Sequence, residues 1–139
     1  MATIDVDFEN VEKLVDLGLY KAEIFEATPK NNKTDGSTYI SWCFTITEPG
    51  EFHGRKLFHN SNLADRKKDS QGNPDIDAQR KAAYYLREFL TTVKVPFNPK
   101  NFNTEDALHA KAIIKVGVKE YEGRNINEIV QIFPYPEDE

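Results

Sequence analysis

Between residues 37 and 47 the chain alternates almost without interruption, with Ile40, Trp42, Phe44 and Ile46 on one side and Tyr39, Ser41, Cys43 and Thr45 on the other. A period of two marks a β-strand, and the first set is the side expected to face a core. A near-alternation over residues 19–27, through Lys21, Glu23 and Glu26, predicts a half-buried strand opened by Gly18 and closed before Pro29. Residues 28–36 are rich in turn-forming Pro, Asn, Asp and Gly and read as a loop carrying Lys30 and Lys33. Glu48-Pro49-Gly50 breaks the pattern, and residues 54–63 form a third, more polar strand. Its parity is open: Phe58 points outward beside Lys56 if Leu57 points inward, and is buried otherwise.

A long polar loop over residues 64–77 carries Arg66, Lys67 and Lys68. The spacing then changes, because Ala82, Leu86, Phe89 and Val93 recur at helical intervals. This predicts a helix over 78–93, capped by Asp75 or Asp77, with Pro96 preventing its continuation. Thr104 is a plausible cap for one short helical turn. Residues 111–120 and 126–133 are two further strands, joined by a tight hairpin at Tyr121-Glu122-Gly123-Arg124-Asn125. The order β-β-β-α-β-β is that of the OB-fold, a mainly β, five-stranded Greek-key barrel with one helix between strands 3 and 4; other small β folds share it. In that fold the second and third strands and the first and fourth hairpin loops often bind single-stranded nucleic acid or oligosaccharide.

A chain of 139 residues is expected to be one domain able to hold a core without disulfides or a metal. No run of 18 apolar residues occurs, so no membrane span is expected, and the acidic start of the chain argues against a secretory signal. The single cysteine, Cys43, fits a reducing cytoplasm. Charge divides the chain into an acidic arm over 1–17, an OB-fold domain over 18–133 and an acidic tail over 134–139. The two ends carry −4 and −3, so the formal net charge of −5 leaves +2 for the body. Polyanion binding depends on local clustering rather than on the total, and it stays open. The acidic ends are then expected to compete with nucleic acid for the basic body, although acidic ends also simply favour solubility.

The inventory for catalysis is thin. His53, His59 and His109 fall in separate elements without metal-ligand spacing, and there is no phosphate loop or nucleophile elbow. Asp65, Asp69, Asp75 and Asp77 lie close together but lack the spacing of a calcium loop, so solvated loop acids are the better account. No enzyme activity, cofactor or metal is therefore expected. A nuclease using those four carboxylates with magnesium is the weakest alternative.

Single-strand binding needs a basic track and aromatic faces, and the sequence supplies both. Lys30, Lys33, Arg55, Lys56, Lys119 and Arg124 are the candidate phosphate contacts, and Tyr39, Phe58 and Tyr121 the candidate stacking faces. Trp42 shares its side of the strand with Ile40 and Ile46 and is expected in the core, with stacking at the barrel rim as the other reading. Arg66, Lys67, Lys68 and Lys115 add charge, although a short basic run is more often a solvated loop face.

Three segments resemble a family of small phage-encoded proteins long catalogued as a domain of unknown function. They are residues 18–30, residues 51–60 with Gly54-Arg55-Lys56, and residues 116–129 with Tyr121, Gly123, Arg124, Asn127 and Glu128. The resemblance implies an OB-fold single-stranded-DNA-binding protein of phage replication or recombination, working in the host cytoplasm without base specificity. It carries Arg55, Lys56, Tyr121 and Arg124 as motif positions. The tail, with Tyr135 before Glu137, Asp138 and Glu139, looks like the acidic tails that recruit replication or recombination enzymes, but it lacks their terminal apolar residue. The competing reading is an adaptor on an OB-like barrel that docks such enzymes and never touches DNA. The preference for DNA over RNA stays open, and an exposed strand edge would permit a homodimer.

Overall fold

The computed structural model describes residues 2–5 and 13–136. Asp7, Glu9 and Glu12 of the arm and Glu137, Asp138 and Glu139 of the tail lie outside the described residues. The elements are β1 (Gly18–Asn31), β2 (Thr38–Ile46), β3 (Lys56–Asn62), α1 (Ile76–Thr92), a 3-10 turn (Thr104–Ala107), β4 (Lys111–Tyr121) and β5 (Arg124–Pro134). The strands form one antiparallel sheet in the order β3-β2-β1-β4-β5. Among the described residues β3 and β5 are its edges, and the ladder that would close a barrel between them is not formed. The last turns of α1 lie there instead: Glu88, Phe89 and Thr92 line a cavity of about 200 Å³ together with His59 of β3 and residues 129–132 of β5.

The alternation in β2 divides as expected, with Ile40, Trp42, Phe44 and Ile46 buried. They meet Ile24 of β1, Leu57 of β3, Ile114 and Val116 of β4, and Phe89, Leu90 and Val93 of the helix. Asp75 is the helix cap, its Oδ1 accepting from the Ala78 N–H at 3.0 Å. Asn103, rather than Thr104, caps the 3-10 turn by accepting from the Glu105 N–H at 2.9 Å.

β1 is longer than its pattern predicts because it passes through Pro29, which sits opposite Ile40. Its ladder with β4 ends at Glu23, so this half of β1 has a free side, where a residue without an N–H costs no pairing. A bulge between Ile24 and Glu26 inserts Phe25, leaves Ile24 buried and puts Phe25 half in solvent.

The packed body also begins before β1. Val15 is 1% exposed and belongs to the core. Its N–H donates to Asn127 Oδ1 at 2.8 Å, while Asn127 Nδ2 donates to the Val15 carbonyl at 2.9 Å and the Gly117 carbonyl at 3.3 Å. The Tyr20 hydroxyl donates to the Asp16 carbonyl at 2.8 Å, and Lys13 pairs with Glu51 at 2.7 Å. The stretch from residue 13 is thus fastened across the sheet, although its charge pattern alone reads as an arm.

Candidate nucleic-acid interface

Pairing register builds the outward face of β1–β3 in rows. Tyr39 stands between Lys30 and Asn62, Ser41 between Thr28 and Asn60, Cys43 between Glu26 and Phe58, and Thr45 between Glu23 and Lys56. The parity of β3 is settled by Leu57, which is buried, leaving Phe58 61% exposed on the opposite side. Lys56 is exposed on the same face, with its Nζ 4.2 Å from the centroid of the Phe25 ring. A cation held over a ring keeps both groups at the surface, where phosphate and base can reach them. Cys43 beneath them is buried, and that burial pushes its thiol pKa up.

At the end of β1 the sheet collects charge from two distant loops. The Thr38 N–H and hydroxyl donate to Asp65 at 2.6 and 2.9 Å, and the Arg66 N–H donates to the Ser37 hydroxyl at 2.9 Å. These bonds stitch the loop after β3 to the loop after β1, which carries Lys33, bringing Arg66 beside Gly36 and Lys67 within electrostatic reach of Asp35. The backbone N–H of Thr38 holds the Asp65 carboxyl below its ordinary pKa, and that of Ser37 does the same for Asp35. Both acids thus remain charged and offset part of the basic cluster. Asp69 accepts from the Gln71 and Asn73 N–H groups and Asp75 caps α1, so these loop carboxylates serve the backbone. Among the described residues no group of three or more His, Cys, Asp or Glu side chains is placed to hold a metal.

The β4–β5 hairpin turns at Glu122 and Gly123, both at positive φ (50° and 79°), a geometry in which glycine carries no Cβ penalty. It presents Tyr121, 55% exposed, directly opposite Arg124, with Lys119 two residues earlier. β4 passes the start of β1 at the Gly18–Val116 pair, so this hairpin stands at the opposite end of β1 from Lys30 and Tyr39. The candidates therefore fall into a basic loop end, a central Lys56 and Phe58 patch, and the hairpin. Arg55 is half-buried in the turn before β3, where its backbone bonds to Phe52 and Ile46.

Two candidates stand apart from these three groups. Trp42 offers no stacking face: it is 0% exposed, its ring lies 4.6 Å from that of Phe89 and 6.3 Å from that of Phe102, and its Nε1 donates to Ser61 Oγ at 2.9 Å. The strand parity that puts it beside Ile40 and Ile46 decides this. Tyr135 packs under Lys111, whose Nζ is 5.5 Å from its ring centroid, and Pro134 pairs with Ala112, so both belong to the packed domain.

His59, across from Trp42 on β3, stacks on Phe89 at 5.4 Å, and burial pushes its imidazole pKa below the ordinary 6.5. A depressed histidine means that the unfolded chain takes up the proton first as pH falls, so stability is full above about 6.5 and declines below it. The thermal midpoint should therefore drop between about pH 7.5 and pH 5, above the range in which Asp35 and Asp65 titrate. His59→Phe, which keeps a ring on Phe89, should flatten that drop; an unchanged drop would assign it to other groups.

No helix among the described residues is long and apolar enough to cross a membrane. Comparison with protein-family models and with curated proteins returns no match for this chain.

Proposed function

We propose that this protein is a sequence-tolerant single-stranded-DNA-binding protein on an OB-type barrel, partly open between β3 and β5. The observation that carries the reading is the outward face of β2 and β3, where Phe58 lies exposed beside Lys56 and the face runs on to the basic end formed by Lys30, Lys33, Arg66 and Lys67. Stacking is sequence-tolerant because every base has a π-face, and clustered cations supply the salt-dependent part of the affinity. The strand order and the helix between β3 and β4 support the OB reading, and that fold includes partly open barrels. The resemblance in sequence adds a setting: coating single strands in phage replication or recombination.

Fluorescence anisotropy of labelled oligo-dT, at about 50 and 200 mM salt with duplex DNA and single-stranded RNA as competitors, tests the reading. Binding should weaken steeply with salt and survive duplex competition. Absence of binding at the lower salt would overturn it and favour the adaptor.

A further inference from the structure

β3 has a second side. Among the described residues it forms a ladder with β2 alone, which leaves the opposite edge of its backbone without a strand partner. Between this edge and α1 runs a cleft of about 580 Å³, within the range of small-ligand sites. Ala78, Lys81, Ala82 and Tyr85, spaced along one face of α1, form one wall. The two alanines leave room, while Lys81 is exposed and Tyr85 is 60% exposed. Asn60 and Asn62 form the other wall, Lys67 reaches in from the loop after β3, and no carboxylate lines the cleft.

We infer that this cleft is a second segment of the single-strand path, in which Lys67 and Lys81 hold phosphates and Tyr85 stacks a base after the strand has crossed β3. The inference rests on the single-strand reading and extends it to Lys81 and Tyr85, which the outward face does not include. Continuity supports it, because Asn60 and Asn62 belong to the rows of Ser41 and Tyr39 on the outward face and also line the cleft. A chain lying on Phe58 therefore meets the cleft after one step along β3. Charge selects the occupant: two lysines with no lining acid suit a polyanion, and the amides together with the free strand edge offer donors and acceptors to base edges.

The test compares oligo-dT of about 6 and about 16 nucleotides, spanning the site sizes of such folds. Lys81→Ala/Tyr85→Ala changes only exposed helix positions to the best helix former. The double variant should bind the short oligonucleotide like wild type and the long one about tenfold more weakly, within the range for one lost stack and one lost phosphate contact. Tyr85→Phe, which keeps the ring, should retain wild-type affinity for the long one. Wild-type behaviour of the double variant on both lengths would overturn the inference and leave the single-strand reading intact. Equal weakening on both lengths would also overturn it, by placing these residues under the primary site. Failure of the wild-type protein to bind either length would remove the underlying reading itself.

Discussion

Trp42→Ala should lower the free energy of unfolding by about 3–5 kcal/mol, the cost of emptying a large aromatic site in a packed core. The indole is fully buried against Phe89 and Phe102, and its Nε1–H is bonded to the Ser61 hydroxyl. Truncation thus removes one of the ring contacts between β2 and the helix and leaves Ser61 without its donor. Phe89 also touches Phe44 and His59, so the loss loosens the seat of α1 across the open side of the sheet. Urea unfolding read by circular dichroism measures it. Trp42→Phe should cost less, since a ring remains and the lost hydrogen bond is worth about 1–3 kcal/mol when a buried partner is stranded. A loss below about 1 kcal/mol for Trp42→Ala would contradict the packing described.

Phe58→Ala should do the reverse. Its ring is on the outward face and mostly in solvent, so unfolding free energy should change by no more than about 0.5 kcal/mol. Affinity for oligo-dT should fall by about 1–3 kcal/mol, or roughly 5- to 150-fold. Lys56→Ala, one pairing row away, should instead reduce the slope of log affinity against log salt by about one, as loss of a phosphate contact does. Together with Trp42→Ala these variants separate the two faces of β2 and β3: one side carries folding and the other binding. Unchanged affinity in Phe58→Ala would take the centre out of the proposed interface.

The elements and the division of β2 into two faces were legible because period two is local and strong. The parity of β3 was not, since Leu57 and Phe58 are both large and apolar and only the core opposite them chooses. Phe25 escaped for a related reason: a bulge shifts every later residue to the other face, and nothing in the alternation of β1 marks where it falls. The union of the loop after β1 with Arg66 and Lys67 depends on Asp65 and Ser37 bonding across 27 and 29 residues, a tertiary fact. Nothing in the helical spacing of residues 78–93 singles out Lys81 or Tyr85. Their interest arises only because β3 lies beside them with a free edge.

The Asn127 clamp on Val15 fixes more than a few residues of backbone. Asn127 pairs with Val118, three positions before Tyr121, so Val15 is moored roughly 10 Å from the tip that carries Tyr121 and Arg124. Asp5, Asp7, Glu9 and Glu12 precede that mooring in the chain, so the segment that carries them is joined, through Lys13 and its Glu51 pair, to a point fixed near the hairpin. A short tether raises a weak partner to an effective concentration in the millimolar range, without any new contact. Removing residues 1–12 should then tighten oligo-dT binding at low salt, and should do so less in an Arg124→Ala background; equal gains in both would break the link. The acids would act as a built-in counterion for the hairpin, its local strength set by where a single asparagine ties down the chain.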